Sequence, residues 1–247
     1  MKKLGWALLF VVVLLGASLL IFFGTNNRYH FAYRSFKGLK EASSMTLAYE
    51  SKIGMGSNQV GIQGETRMTT SPKVSAITVH GQLGFLGTPK LMDIYTQEGA
   101  IYYKYNLGFL PWQKGEPHLE EDAFNPSNIP VMGQNIQLFP LLRFAKELEK
   151  EDLGEEMRYY TTSLFTEEEF KEFLGEVLKL KEAQLAALDI DAYEIALIFT
   201  KETNMIKVFE VTFDHRVRGI ALHSSFRLEL LGLNDVGVIT TPEGLPD

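Results

Sequence analysis

Residues 220–230 read IALHSSFRLEL, with apolar or small side chains at every second position. Successive side chains of a β-strand point to opposite faces of its sheet, so a period of two predicts a strand. The residues that would share the apolar face are Ile220, Leu222, Ser224, Phe226, Leu228 and Leu230. The last third of the chain is therefore predicted to supply a clearly two-sided strand to a sheet.

The same period recurs along most of the sequence. Five strands are predicted early in the chain, at 45–53, 60–68, 74–85, 91–97 and 101–105. Only short turns separate them, such as Glu98-Gly99, and parallel neighbours would need long crossovers, so they are predicted to form an antiparallel meander. After an irregular stretch at 106–135, strands are predicted to return at 157–164, 193–200, 205–213, 220–230 and 236–239.

Three helices are predicted between these strands. Residues 33–42 would form a short helix, and the spacing of Leu141, Phe144, Ala145 and Leu148 predicts a second that ends near Gly154. Thr166 and Glu169 have capping-box spacing and predict the start of a third, which bears an apolar stripe. The element order predicts an α+β fold: a single antiparallel β-sheet with helices on one face.

Residues 4–23 read LGWALLFVVVLLGASLLIFF, a run of 20 uncharged residues. A helix of this length spans about 30 Å, the thickness of the hydrocarbon core of a bilayer. Lys2 and Lys3 precede it, as in a secretory signal. The predicted organisation is a signal-anchor transmembrane helix at 1–24, a linker at 25–32 and a folded extracytoplasmic domain at 33–247.

Two alternatives to this topology stay open. The small residues Gly16-Ala17-Ser18 would permit cleavage and secretion of the domain. The positive-inside rule also counts the cations that follow the span, which are Arg28, Arg34, Lys37 and Lys40. These cations balance Lys2 and Lys3 on the other side of the span, so the flanking charges leave the orientation of the span in the membrane ambiguous. We expect a single-pass cell-membrane protein with its C-terminal domain outside the cytoplasm.

The charge is unevenly distributed. The formal net charge is −7, yet residues 1–40 carry six cations and no acid, so the remainder carries −13. A domain this acidic repels phosphates, which argues against nucleic acid as a partner. The chain has no cysteine, which excludes disulfides, thiolate metal sites and the lipidated cysteine of a bacterial lipoprotein.

No enzymatic motif is visible in the sequence. The five histidines lack metal-ligand spacing such as HExxH, and the GxGxxG, P-loop and GxSxG patterns are missing. The acidic run at 120–122 lacks the regular ligand spacing of an EF-hand loop and favours a solvated surface over a calcium site. We therefore predict a non-enzymatic protein with no catalytic residue, metal or cofactor; a hydrolase with an unrecognised site is the weakest alternative.

The sequence also predicts extensive apolar surface, on the helical stripes and on one face of the sheet. These surfaces could pack against each other as a core, or they could enclose a cavity for an acyl chain or a lipidated partner. Residues that face a core and residues that face such a cavity have the same sequence pattern, so the two alternatives stay open. The predicted ligand-lining residues are Phe85, Tyr103, Phe139, Leu142, Phe170, Leu174, Val177 and Phe226.

Short motifs in the sheet region resemble those of a known superfamily. They are Tyr95-Thr-Gln-Glu-Gly99, Ile101-Tyr-Tyr-Lys104, Trp112-Gln-Lys114 and the closing Asn234-Asp-Val-Gly-Val-Ile-Thr-Thr-Pro242. With the element order, residues 33–243 resemble the lipoprotein-carrier (LolA-like) half-barrel proteins, which include lipid-binding lipoproteins of Gram-positive-type bacteria. The resemblance implies a curved sheet whose concave face, covered by helices, binds lipid or senses lipidated proteins. The missing lipobox cysteine departs from many relatives, and the N-terminal helix would replace it as an anchor.

These observations lead to one main hypothesis and one alternative. The main hypothesis is a membrane-anchored, extracytoplasmic, non-enzymatic protein that binds a lipid or another hydrophobic ligand. The alternative is a protein-interaction or regulatory module whose interior is filled.

Overall fold

The computed structural model describes residues 28–56, 58–82, 84, 87–106, 110–115, 148–178 and 180–246. The apolar segment 4–23 lies outside these residues, as do the acidic run at 120–122 and the predicted helix up to residue 147. Within the described part of the chain, no helix combines the length and the apolar character that crossing a membrane requires.

Eleven strands of the described chain form one antiparallel sheet. The strands are β1 (Ser44–Met55), β2 (Asn58–Thr70), β3 (Lys73–Gln82), β4 (Lys90–Gln97), β5 (Ala100–Tyr105), β6 (Gln113–Lys114), β7 (Glu149–Asp152), β8 (Glu156–Thr161), β9 (Asp189–Thr200), β10 (Met205–Val217) and β11 (Ile220–Leu233). Their spatial order is β6-β5-β4-β3-β2-β1-β11-β10-β9-β8-β7. The predicted single antiparallel sheet is confirmed, and it is open, with β6 and β7 at its two edges, as in a half-barrel.

Three helices accompany the sheet in the described ranges: α1 (Arg28–Glu41), α2 (Glu167–Leu178) and α3 (Glu182–Ala186). The predicted meander is confirmed in β1 to β5, which pair in sequence order. Glu98 and Gly99 have φ angles of 51° and 89°. Two positive φ angles in a two-residue loop are typical of a type I′ hairpin turn, whose twist matches that of its strands.

The strands that come first and last in the sequence, β1 and β11, pair with each other at the centre of the sheet. Leu47 lies opposite Leu230 and Tyr49 lies opposite Leu228, in antiparallel register. The meander of β1 to β6 therefore extends to one side of this pair, and β7 to β10 extend to the other. Packing of the two halves depends on contacts between residues far apart in sequence.

The start of the first helix corrects the predicted linker. Residues 25–32 were expected to be a linker before a helix at 33–42, but α1 begins at Arg28. Phe31 is fully buried, and its ring stacks on Phe199 at a centroid distance of 5.3 Å. Burying an aromatic side chain of this size stabilises the fold by about 2 kcal/mol, which explains why the first turn is helical rather than solvated.

The segment before Gly154 is also different from the prediction. Residues 149–152 were expected to continue a helix, but they form the edge strand β7, paired with β8. All four residues are charged and exposed, and charged side chains on an edge strand discourage pairing with other chains. Gly154 lies in the turn to β8 with a φ of 82° and donates its N–H to Asp152.

The predicted strand at 236–239 does not form. These residues make no ladder, and the Val238 side chain is 92% exposed. The Val236 N–H donates to the Ser44 hydroxyl at 3.2 Å, and Tyr95 and Thr241 are joined by a hydroxyl–hydroxyl hydrogen bond of 3.2 Å. Side-chain hydrogen bonds, rather than strand pairing, hold this tail against the outer side of β1 and β4.

Candidate functional site

One face of the sheet, called here the inner face, carries the apolar core. Its side chains come from strands on both sides of the central β1–β11 pair and form one continuous cluster. Strand residues buried in it include Met45, Leu47, Tyr49, Ile77, Val79, Met92, Ile94, Tyr103, Met157, Tyr159, Ile195, Leu197, Phe199, Phe209, Val211, Phe213, Phe226 and Leu228. The alternation predicted from the sequence places them there, because cross-strand partners share a face.

Helix α1 packs against the inner face at β9 and β10. The Phe31 ring packs against the rings of Phe199 and Tyr159, at centroid distances of 5.3 and 6.1 Å. Ser35 is buried, and its hydroxyl accepts a hydrogen bond of 2.7 Å from the Ile206 N–H. That N–H lies at a bulge in the β9–β10 ladder, so the serine satisfies a donor that would otherwise be buried without a partner.

Helix α2 packs on the same face, further along β9 and β10. The predicted capping box is present: the Glu169 carboxylate accepts from the Thr166 N–H at 2.8 Å, and the Glu169 N–H donates to the Thr166 hydroxyl at 3.4 Å. The cap fixes the start of the helix. Phe170 is thereby directed onto Tyr193, with ring centroids 4.1 Å apart, and against Phe213 at 5.8 Å.

The predicted ligand-lining residues fall into two groups. Phe85, Phe139 and Leu142 lie outside the described residues, and the side chain of Val177 is not described although its backbone belongs to α2. Tyr103, Phe170, Leu174 and Phe226 are all buried in the inner-face cluster.

The structure does not bring the four buried residues to a single point. Phe170 contacts Phe213 of β10, and Phe226 lies on the neighbouring strand β11. Tyr103 belongs to β5, five strands away from β11 in the sheet order. At about 4.8 Å per strand this separation is roughly 24 Å, so Tyr103 and Phe226 lie far apart on a long apolar face.

One end of the inner face is incompletely covered. Six apolar residues at this end lie on the inner-face side of β1, β2 and β11, and we call them the apolar rim: Ile53, Met55, Val60, Ile62, Ile220 and Leu222. Met55, Val60 and Ile220 are 56%, 49% and 54% exposed. Contiguous exposed apolar side chains are uncommon in soluble domains and typical of contact or ligand surfaces.

A polar pair lies beside this rim, within the apolar face. His215 of β10 is buried, and its Nε2 lies 2.9 Å from the Ser224 Oγ of β11. Its Nδ1 is buried and has no hydrogen-bond partner within the described part of the chain. Burial lowers the pKa of the His215 imidazole, because desolvation disfavours the charged ring. No motif in the sequence indicates this pair, although the Arg218-Gly219 turn sets the hairpin register that brings the two residues together.

The opposite, outer face of the sheet holds a cavity of about 560 Å³. It lies over Ala48, whose cross-strand neighbours are Glu65 on β2 and Glu229 on β11. The small alanine between two long side chains creates the depression. The lining residues are Ala48, Tyr49, Glu50, Gln63, Gly64, Glu65, Thr78, His80, Arg227 and Glu229. We call it the outer-face cavity.

The walls of the outer-face cavity are charged. Burial opposes ionisation of Glu50, but hydrogen bonds from Lys52 and Gln82 outweigh it and lower the pKa of that carboxyl group. Arg227 lies 3.3 Å from Glu229 and 3.7 Å from Glu210. Within the described ranges, no group of three or more His, Asp or Glu side chains is arranged to hold a metal ion.

No family model matches the sequence, and no curated protein matches it. Solved structures give weak likenesses. The lipoprotein LppX of Mycobacterium tuberculosis is 12% identical, with 85% of this chain and 97% of LppX covered and a TM-score of 0.43. A DUF1329 family protein of Desulfovibrio piger is 11% identical, with coverages of 86% and 93% and a TM-score of 0.32.

Proposed function

We propose that this chain is a non-enzymatic, membrane-anchored protein that binds a lipid or another hydrophobic ligand on its inner face. The exposed apolar rim at one end of that wide face carries the proposal. Eleven strands at about 4.8 Å spacing make a sheet roughly 48 Å wide. A helix is about 10 Å across, so α1 and α2 cover less than half of this width.

The apolar rim gives a ligand a place of entry. Val60 and Ile220 are about half exposed and lie on either side of β1. Covering an apolar surface gains about 25 cal/mol for each Å² removed from water. An acyl chain that lies along the rim and the neighbouring inner face would therefore be retained without any reaction.

The location of the domain is part of the same proposal. Residues 4–23 are long and apolar enough to anchor the chain, and the resemblance to exported lipid-binding proteins supports a domain outside the cytoplasm. A reporter active only outside the cytoplasm, fused to the C-terminus, tests the orientation. A stable but inactive fusion would contradict the extracytoplasmic location.

The binding proposal is tested by photo-crosslinking the full-length chain, in maltoside micelles, to a fatty-acyl probe that carries an alkyl diazirine. We expect labelled peptides to come from the rim strands β1, β2 and β11. The substitution Ile220→Asp places a charge on the exposed rim and should reduce labelling at least fivefold. Ala221→Asp is the matched control, because Ala221 is exposed on the outer face next in sequence. Equal labelling of both variants would refute a ligand site at the rim.

A second candidate, an interaction or regulatory module with a filled interior, is favoured by one observation. The inner-face side chains of the meander are already covered: Ile77, Val79 and Met92 are only 1–2% exposed. Native mass spectrometry of the full-length chain separates the two candidates. Co-purifying lipid supports a carrier, whereas a ligand-free chain that the acyl probe does not label supports the module.

A further inference from the structure

His215 leaves one buried polar atom without a partner. The residue is 1% exposed, its Nε2 bonds to Ser224, and its Nδ1 has no hydrogen-bond partner among the residues that the structure describes. Burying a polar group without a hydrogen bond is unfavourable, so such atoms are rare in folded proteins and usually meet a water or a ligand. The atom therefore points to a missing acceptor or donor at this place.

The hydrogen bond to Ser224 is compatible with a neutral ring that carries its proton on Nδ1. A serine hydroxyl can donate its proton to Nε2, which leaves the neutral imidazole with its proton on Nδ1. The lowered pKa keeps the ring neutral, although Asp214, Asp191 and His223 act on it electrostatically. In this form Nδ1 is a donor, and the atom that it lacks is an acceptor.

The surroundings indicate what kind of molecule carries that acceptor. Ser224 lies opposite Ile53 on β1, and His215 lies opposite Leu222 on β11 and Ile190 on β9. The ring of Phe213 is 5.1 Å from the imidazole. The polar pair is thus set among apolar side chains, two of which belong to the rim. Removing an ion from water here would cost far more free energy than removing an uncharged oxygen attached to a hydrocarbon.

A backbone irregularity coincides with the pair. The β9–β10 ladder shifts its register between Asp214 and His215. The extra residue is Asp191 of β9, opposite His215, and bulges are frequent beside binding sites. Here it accompanies a polar residue inside an otherwise apolar stretch of the inner face.

Resting on the proposed lipid-binding function, we infer that His215, positioned by Ser224, donates a hydrogen bond from Nδ1 to the ester carbonyl of an acyl lipid whose hydrocarbon chain lies on the apolar rim. The site binds without reaction. The pair selects acyl esters over hydrocarbons and ethers of the same length, because only the ester offers a carbonyl acceptor.

The test compares monoolein with its ether analogue, 1-O-oleyl glycerol, which has the same chain and headgroup but no carbonyl. Dissociation constants are measured with the full-length chain in maltoside micelles. One neutral hydrogen bond contributes about 1 kcal/mol, so wild type should bind the ester roughly five- to tenfold more tightly. His215→Phe should bind both lipids equally. His223→Phe, on the outer face of β11, is the matched control and should keep the preference.

Nitrogen-15 NMR of the histidine rings gives an independent measurement that does not depend on the variants folding. Monoolein should shift the His215 Nδ1 resonance, and the ether should not. Ser224→Ala, which removes the partner of Nε2, should weaken the ester preference. Equal binding of ester and ether by wild type, or an unchanged Nδ1 resonance, overturns the inference and leaves lipid binding intact. Failure to bind either lipid overturns both the inference and the proposed function.

Discussion

Hydrogen bonds between Asn234 and Ser43 connect the end of β11 to the start of β1. The Asn234 side-chain oxygen accepts one hydrogen bond of 2.7 Å from the Ser43 N–H and another of 2.9 Å from the Ser43 hydroxyl. Asn234 has a φ of 60°, a left-handed conformation that asparagine tolerates better than most residues. Because Ser43 precedes β1 and Asn234 follows β11, this contact closes the central pair of the sheet.

Asn234→Ala should destabilise the protein by roughly 2–3 kcal/mol. The substitution removes two hydrogen bonds and places a residue with a β-carbon and no compensating polar group in the left-handed region. Urea denaturation of the full-length chain measures the loss. Asn234→Gly is the control, because glycine also removes the hydrogen bonds but adopts a positive φ angle readily. Its loss in the free energy of unfolding should be smaller than that of the alanine variant by about 1 kcal/mol. An alanine variant as stable as wild type would show that this contact does not close the sheet.

The turn between β4 and β5 is not optimal for its backbone. Glu98 has a φ of 51°, whereas the first position of a type I′ turn favours asparagine, aspartate or glycine. Glu98→Asn should raise the free energy of unfolding by roughly 0.5–1 kcal/mol. Glu98→Gln removes the same charge without this conformational preference and should have little effect. If both variants were stabilised equally, repulsion by the charge of Glu98 would be the cause rather than the turn.

Most strands were predictable because they carry their own signal. The alternation in β1 to β5 and β9 to β11 is local, and it identified these strands and the buried position Phe226, whereas helical spacing identified Phe170 and Leu174. The strand β7 has no such signal, since its four charged residues have no apolar face; only pairing with β8 makes it a strand. The start of α1 was missed for a similar reason: Phe31 becomes part of a helix by stacking on Phe199, which is 168 positions later.

The candidate site was predictable only in part. The His215–Ser224 pair follows from the hairpin register, which the Arg218-Gly219 turn determines locally, so this signal was present in the sequence. The outer-face cavity is different. It depends on Ala48 lying opposite Glu229, and the register of strands so far apart in sequence cannot be derived from local patterns.

Phe170 should be essential for the docking of α2. It is fully buried and stacks on Tyr193. Replacing a buried phenylalanine with alanine typically costs 3–5 kcal/mol, from lost transfer energy and the remaining void. Phe170→Ala should lower the denaturation midpoint accordingly, and Phe170→Leu should lose less. Glu172→Ala, at an exposed position of the same helix, is the control and should lie within about 0.5 kcal/mol of wild type. Equal effects would exclude a packing role.

His215 should make the stability fall in mild acid. Its pKa is lowered in the folded protein, so below the ordinary histidine pKa of about 6.5 the unfolded chain binds a proton that the folded chain does not. Stability should therefore fall as the pH decreases from 7.5 to 5.5. His215→Phe should reduce this pH dependence, as measured by urea denaturation across the range, whereas His223→Gln should retain the contribution from His215. An identical slope in wild type and His215→Phe would contradict the assignment.

Ala48 marks a position where the sheet lacks a cation. Glu65 and Glu229 lie on either side of it, and cross-strand pairs of opposite charge contribute roughly 0.2–1 kcal/mol each. Ala48→Lys should therefore occupy the outer-face cavity and stabilise the protein by about 0.5 kcal/mol at low salt. Ala48→Met has a side chain of similar length and no charge, so it separates electrostatic from packing effects. Because exposed charges are screened, the advantage of lysine over methionine should disappear in 1 M NaCl. An advantage that persisted at high salt would mean that the carboxylates of Glu65 and Glu229 do not act on position 48.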